Sequence, residues 1–382
     1  MWRRVEIRNY RSIEHVEVDL APFTLLVGPN GSGKSNFADA LVFVRDVAFD
    51  ASTAVERRGG IADIRRWRPT KPTDITIDLR ASRSKAALES DYVRHQFTIH
   101  SGRDGKWSFR REVIEWMTDG LSQFALKRDK GKLTLEPEMP QHGFGHLSET
   151  ASAMVFARQF APFSRRAVLR KVRRVRLNPD TMRVPQSASD NKLLDETGSN
   201  IAIAYRSLKA SAKDEVLAAM KKIVPGLSAI SVEPFDRFLL LKFTQHQGGQ
   251  EQATFSASSM SEGALRALGI LVAAQQVTSD ELLIIEEPEV AIHVGAAQLL
   301  FDVLKRASSR GAVLVTTHSA DLLDAAKDEE ILVCLYRDGR TRIGPLASEQ
   351  RTIVKDGLFS VSELMRTEPL RIEGEPIPTV PS

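Results

Sequence analysis

Gly28-Pro29-Asn30-Gly31-Ser32-Gly33-Lys34-Ser35 has the spacing G-x-x-x-x-G-K-[ST]. Glycines at these places let the backbone curl until its N–H groups face one point, and the start of a following helix adds positive potential there. Such a loop holds phosphate groups, with Lys34 reaching the β- and γ-phosphates and the Ser35 hydroxyl ligating Mg²⁺. Far downstream, Leu282-Leu283-Ile284-Ile285-Glu286-Glu287-Pro288-Glu289 ends an apolar run in paired carboxylates. Beside a phosphate loop, Glu286 suits the metal side, and Glu287 suits a base that orients or deprotonates an attacking water. Thr316-Thr317-His318-Ser319 ends a second apolar run, Val313-Leu314-Val315. A histidine there, at the C-terminal edge of a parallel strand where such sheets bind ligands, can hydrogen-bond a γ-phosphate or the water. In Ser258-Ser259-Met260-Ser261-Glu262-Gly263, Ser261 reads as a helix N-cap with Gly263 in the first turn, which taken alone is a simple cap.

These residues need elements to position them. Phe23-Thr24-Leu25-Leu26-Val27 reads as a buried strand feeding the loop, and residues 34–47 as an amphipathic helix leaving it. Ahead of them, Val5, Ile7, Ile13, Val16, Val18 and Leu20 alternate with polar residues, which predicts two antiparallel strands joined at Asn9-Tyr10-Arg11-Ser12. Residues 51–72 read as a loop with a short helix. From 73 to 136 the period is two, and an antiparallel sheet follows, with a turn at Ser101-Gly102-Arg103-Asp104-Gly105. Residues 137–148 form a break, after which the pattern is mostly helical through the basic stretch near 165–176. Residues 178–191 read as a surface loop, and helices over 197–224 end at Pro225-Gly226. Strands at 229–233 and 237–244 precede the helix from Ser261 to about 277. Strand 281–286, helix 292–308, strand 312–316, helix 319–326 and strand 330–336 then alternate, the grammar of a parallel sheet.

Composition is that of an ordinary globular protein, and no run of about 18 apolar residues predicts a transmembrane helix. The N-terminus lacks the apolar core of a secretory signal, and the lone cysteine, Cys334, excludes an internal disulfide and reads as a buried strand position. These features fit the cytoplasm. The net charge is +4, but basic residues are uneven. Arg165, Arg166, Arg170, Lys171, Arg173, Arg174 and Arg176 crowd one stretch, and Arg57, Arg58, Arg65, Arg66 and Arg68 another. Such runs suit a nucleic-acid footprint, a solvated helix face or a surface that meets an acidic partner.

In order and spacing, the four motifs resemble those of the ATP-binding-cassette ATPases, and among them the RecF/SMC-type heads. Ile7-Arg8-Asn9-Tyr10-Arg11-Ser12-Ile13 looks like that family's opening, and Gly28 to Ser35 like its Walker A motif. Ser261-Glu262-Gly263 matches its signature, Leu282 to Glu287 its Walker B and His318 its switch histidine. Leu194-Asp195-Glu196-Thr197-Gly198-Ser199-Asn200-Ile201-Ala202 resembles a segment of the short bacterial members called AAA-type predicted ATPases. Two features depart from the wider pattern. Glu286 stands where aspartate is usual, and Glu289-Val290-Ala291-Ile292-His293 matches the usual D-loop only loosely. Gln159 is the candidate Q-loop glutamine.

The resemblance implies an α/β fold, an ABC-ATPase head with a mixed central parallel sheet, an antiparallel β subdomain and an inserted helical lobe. Residues 1–136 would form the first lobe with the β subdomain, 137–228 a helical insertion with the basic cluster, 229–345 the second lobe, and 346–382 a C-terminal segment with a flexible proline-rich tail. It implies ATP and Mg²⁺ as cofactors, held by Asn30, Gly31, Ser32, Gly33, Lys34, Ser35, Asn36 and Arg11, with metal ligands Ser35 and Glu286 and with Glu287, Lys34 and His318 in catalysis. It also implies a homodimer in which Ser261 and Gly263 of one copy cap the γ-phosphate bound to the other. Two functions follow: an ATP-switched clamp on DNA in genome maintenance, or a regulatory ATPase that controls a separate effector, as in anti-phage defence. A transporter subunit ranks last, because the signature is not L-S-G-G-Q.

Overall fold

The computed structural model describes residues 1–66, 71–136, 147–157, 171–187, 191–246, 251–319, 322–323, 326–355, 363 and 367–374. The chain divides into two compact units, Met1–Val172 with Asp280–Leu282 and Asp324–Ser382, and Arg173–Ser279 with Leu283–Leu323.

The first unit is built on a broad sheet. β1 (Trp2–Tyr10) and β2 (Ile13–Leu20) form the expected hairpin, with Val5 opposite Val18 and Ile7 opposite Val16. β3 (Phe23–Val27) is buried along its whole length. β4 (Ile75–Ser82), β5 (Tyr92–Ser101), β6 (Trp107–Thr118), β7 (Leu121–Asp129) and β8 (Lys132–Glu136) run as an antiparallel meander from β1 outward. Alternation is what permits this: Ile75, Ile77 and Leu79 are buried on one side while Thr76 and Arg80 are not. The helix Lys34–Phe49 buries Phe37, Leu41, Phe43, Val44 and Val47. Phe43 packs against Tyr10 and Phe97 with ring centroids 5.6 and 6.1 Å away, and Phe97 continues the row to Phe109. The helix stops at Asp50, whose carboxylate caps the next helix, Ala51–Glu56, by accepting from the Ser52 and Thr53 amides.

The C-terminal part of this unit completes the sheet. Of the later strands, β16 (Ile331–Arg337) pairs with β3 in parallel, and β17 (Arg340–Pro345) pairs antiparallel with β16. β17 also meets β2 in parallel at a single register point, Thr341 opposite Ile13. β17 and the helix Ser348–Lys355 were not expected from the sequence. In β17 only Thr341, Ile343 and Gly344 turn inward, too brief a signal beside two arginines and a proline.

The second unit holds β9 (Val172–Val175, from Arg173 on), β14 (Leu282–Glu286, from Leu283 on) and β15 (Ala312–Thr317), in the order β15-β14-β9. A smaller sheet has β12 (Phe238–His246) between β11 (Leu227–Phe235) and, at opposite ends of its other side, β10 (Gln186–Ser187) and β13 (Gln252–Ser256). Helices Ile201–Arg206, Ala210–Ile223, Glu262–Gln275 and Val294–Ala307 fall where the sequence predicts them.

Two expectations are corrected. Residues 172–175 form a strand, not a helix, because Val172 and Val175 supply apolar positions for a buried strand. Arg173 and Arg174 therefore do not belong to a solvated basic face. Arg173 is buried and donates to the Ala273 carbonyl and the Gln276 side chain, at 3.0 and 3.3 Å. Arg174 donates to Glu196 at 2.7 Å. Both guanidiniums are engaged within the fold. Residues 178–191 are not merely loop: Asn178 caps a helix over Pro179–Arg183, with Pro179 in its first turn, a use of Asn-Pro that reads locally as a turn. Gln159, Arg165, Arg166, Arg170, Arg68 and the proline-rich end at 375–382 lie outside the described residues, as does most of the predicted helix 319–326.

Candidate functional site

The phosphate loop lies wholly in the first unit. Gly28 has no room for a side chain: a Cβ there would sit 2.0 Å from the Cys334 carbonyl oxygen on β16. Gly31 and Gly33 have φ of 76° and 107°, a region that a β-carbon disfavours. Among the described residues, a β-carbon on Gly31 would meet nothing within 4 Å, so the crest of the loop is open there. At Gly33 a β-carbon would meet the Thr341 hydroxyl at 2.0 Å. The Ser32 amide donates to the Pro29 carbonyl at 3.2 Å, and the Phe37 amide to Gly33 at 3.0 Å, which turns the loop into the helix.

A relay of hydroxyls supports the loop from below. Thr341 donates to the Ser32 carbonyl at 2.9 Å and lies 2.7 Å from the Ser12 hydroxyl. Asn36 donates to Ser12 at 2.6 Å. Lys34 is buried and folds back, donating to the carbonyls of Gly28 and Pro29 at 2.8 and 3.1 Å. Asn30, Gly31 and Ser35 are exposed. Ser32 is buried, and its hydroxyl has no hydrogen-bond partner among the described residues. An open crest of glycines, a buried hydroxyl with unmet capacity and a lysine beneath together fit a polyphosphate.

Arg11 occupies a tight turn with φ of 47°. Its guanidinium lies 3.2 Å from Asp39, one helical turn beyond Ser35. Asp39 also accepts from the Tyr10 hydroxyl at 2.6 Å and from Arg58 at 3.2 Å. Burial pushes the Asp39 carboxyl up, but the Arg58 charge, the Tyr10 hydrogen bond and Arg11 outweigh it and hold it below the usual carboxylate range. Arg11 is thus tied to the helix that the loop starts. Sequence spacing could not have revealed Ser12, Thr341, Tyr10, Asp39 or Arg58 as supports, because tertiary pairing alone brings them together.

Glu286, Glu287, His318 and Ser261 lie in the second unit. Glu286 closes β14, and its side chain is nearly buried, 3.8 Å from the Arg174 guanidinium. Arg174 therefore stands beside the acid strand. The chain then kinks: Glu287 has φ of 47°, and its amide donates to the Thr316 carbonyl on β15 at 2.9 Å. Strain of this kind in a residue other than glycine gathers at functional sites. His318 follows directly on β15, and its Nδ1 lies 3.9 Å from Glu287 Oε1. Glu287 and His318 are thereby brought together at the ends of neighbouring strands.

Ser261 caps the helix Glu262–Gln275, accepting from the Ala264 amide at 3.2 Å, and is exposed. A Cβ on Gly263 would lie 2.2 Å from the Ala291 carbonyl oxygen. Glycine is needed there because the turn after the acid strand runs directly over the first turn of the signature helix.

Comparisons with known proteins bear on the family and the fold. Residues 23–324 match the model of the family described as "AAA domain, putative AbiEii toxin, Type IV TA system". A chromosome partition protein Smc from Methanocaldococcus jannaschii is 48% identical over 42 residues, 11% of this chain and 4% of that protein. An OLD nuclease from Thermus scotoductus is 39% identical over 44 residues, 12% of this chain and 8% of that protein. The matched stretches thus span under a tenth of either relative. Among solved structures, an Smc head bound to the C-terminal winged-helix domain of ScpA superposes with a TM-score of 0.55 at 16% identity, covering 91% of this chain and 98% of that one. The Smc head from Pyrococcus furiosus with an extended coiled coil, bound to the C-terminal domain of ScpA, gives 0.53 at 14% identity, covering 93% and 98%. At such identities the likeness speaks to fold: the mixed α/β architecture is that of an SMC-type head. With its family model spanning most of its length, the chain belongs to the AAA-domain family so described, as an ABC/SMC-like ATPase head.

Proposed function

We propose that this protein binds ATP with Mg²⁺ and hydrolyses it, and that two copies associate head to head while ATP is bound. The observation that carries the reading is the glycine cradle, open at Gly31, closed beneath by Thr341, and provided with an unmet Ser32 hydroxyl and a buried Lys34. In this reading Lys34 exchanges its bonds to the loop carbonyls for the β- and γ-phosphates. Asn30, Gly31, Ser32, Gly33 and Asn36 line the phosphates, and Arg11 steadies the nucleotide from the β1–β2 turn. The Ser35 hydroxyl and the Glu286 carboxylate are the donors that would hold Mg²⁺, which when bound polarises phosphate oxygens. Glu287 takes a proton from the attacking water, and His318 beside it orients that water or the γ-phosphate. The longer Glu286 side chain in place of aspartate favours slow turnover.

Exposed Ser261, at the start of a 14-residue helix, presents an N-terminus suited to a phosphate. In the proposed dimer it meets the nucleotide of the other copy. ATP then joins the heads and hydrolysis releases them. The test is the Glu287→Gln variant with ATP, which should elute as a dimer in size-exclusion chromatography; elution only as a monomer would overturn the head-to-head reading. Lys34→Ala should abolish phosphate release, and an undiminished rate would overturn the site.

The output of this switch lies with a partner. The family's description names a toxin–antitoxin system, which favours a regulatory ATPase coupled to a separate effector over a clamp on DNA. Arg173 and Arg174 give DNA no support, being engaged inside the fold. A pull-down from the native host with Glu287→Gln and ATP separates the two readings: an effector protein favours the first, and salt-sensitive duplex DNA the second.

A further inference from the structure

The turn that follows the acid strand holds a third carboxylate, Glu289, which the hydrolytic reading leaves without a task. Two successive tight bonds shape this turn, Val290 amide to Glu287 carbonyl at 3.2 Å and Ile292 amide to Glu289 carbonyl at 3.1 Å. Left-handed Glu287 and Ala291 flank it. The result directs Glu289 back to the end of β15. There a single oxygen, Oε1, accepts from the Thr317 hydroxyl at 2.6 Å and from the His318 amide at 3.2 Å. The same oxygen lies 3.5 Å from His318 Nδ1. The Thr317 hydroxyl in turn accepts from the Ser319 amide at 2.9 Å. The whole switch turn, Thr317 to Ser319, is therefore folded around one carboxylate oxygen. Glu289 itself is mostly shielded, with its side chain 12% exposed against 43% for His318.

We propose that Glu289 is the positioning residue of the switch histidine. By facing Nδ1 it keeps the ring proton of the neutral imidazole on that nitrogen and leaves Nε2 as the unprotonated ring nitrogen. Histidines that act through one ring nitrogen are commonly set by the hydrogen bond at the other. Glu287, 3.9 Å from the same Nδ1, is left to the water. This rests on the hydrolytic reading for its purpose, but the orientation is measurable without nucleotide.

Two measurements on the full chain test it. The first is ¹⁵N–¹H correlation of the imidazoles without nucleotide, at a pH well above the ordinary imidazole value of about 6.5, with His318 assigned by His318→Gln. The wild type should show His318 protonated at Nδ1, and Glu289→Ala should move it to the mixture seen for free histidine. An unchanged His318 spectrum in Glu289→Ala overturns the proposal. The second is steady-state kinetics. Glu289→Ala should lower kcat by up to about 100-fold, the lower end of what a positioned acid–base group contributes, with KM within about twofold. Glu289→Gln, whose amide oxygen can still accept from Thr317 and the His318 amide, should retain most of the rate. Thr317→Val, similar in shape but without the hydroxyl, should reproduce part of the loss. Equal damage by Gln and Ala, or a kcat in Glu289→Ala within twofold of wild type, overturns the proposal. A wild type that hydrolyses no ATP defeats the reading of function, while the spectrum still decides the orientation.

Discussion

Gly33 answers to two constraints at once, a left-handed backbone and the Thr341 side chain packed where a β-carbon would go. Gly31 answers only to the first. Gly31→Ala should therefore cost about 1–2 kcal/mol, the left-handed penalty alone. Gly33→Ala should cost more, and adding Thr341→Ala, which removes the hydroxyl and the methyl that the β-carbon meets, should relieve part of the excess. Denaturant midpoints of the three variants check this, and equal costs for the two glycine variants would refute the packing argument. The Asp39 cluster makes a separate prediction. Its carboxyl is held below the ordinary carboxylate value of about 3.9. A lowered folded value means that its stabilising contribution is complete above that pH and is lost as pH falls through the folded value. Asp39→Asn should remove that part of the acid sensitivity, read as a shallower fall of unfolding free energy below about pH 4. At this scale the sequence was readable wherever chemistry is local. G-x-x-x-x-G-K-S dictates a cradle and its helix, and Glu286-Glu287 ends a strand. It was silent on Thr341, Asp39 and Arg58, because each matters through a neighbour supplied by tertiary pairing.

The elements show the same division. Strict alternation made β1, β2, β4 and β5 legible, and full burial made β3 so. β9 was hidden because its two middle residues are charged in sequence yet engaged in the fold, Arg173 with the end of the signature helix and Arg174 with Glu196. The antiparallel region conceals a polar node of similar kind. His95 and Glu112 face each other on β5 and β6 at 2.9 Å and are fully buried. Glu112 also accepts from the Ser152 hydroxyl and the Ala153 amide, which fastens the segment after the meander to the sheet. Removing one partner of a buried pair strands the other. Glu112→Ala should thus destabilise the first unit by about 3–5 kcal/mol. Glu112→Leu should do little better, since the Ser152 and Ala153 donors stay buried. Thermal unfolding of both variants measures it, and a loss below about 1 kcal/mol would show that the node is dispensable.

For the molecule as a whole, the described residues hold no helix long and apolar enough to cross a membrane. If ATP joins two heads, stability becomes a property of concentration, because whatever binds only the folded state stabilises it by mass action. The Tm of Glu287→Gln with ATP should rise with protein concentration, whereas Lys34→Ala with ATP should show no such dependence. A flat Tm for Glu287→Gln across a roughly hundredfold range would count against the dimer. The chain also carries its own reporter of such events. Its single sulfhydryl, Cys334, is wholly enclosed under the phosphate loop, with Sγ donating to the Ser32 carbonyl at 3.5 Å. Enclosure pushes the thiol up to about 11, so near neutrality it is both hidden and protonated, the unreactive form. Alkylation at this one position can proceed only when the floor of the cradle breathes. Its rate is a clock for that opening, to be slowed by any ligand that pins the loop, and it needs no engineered label.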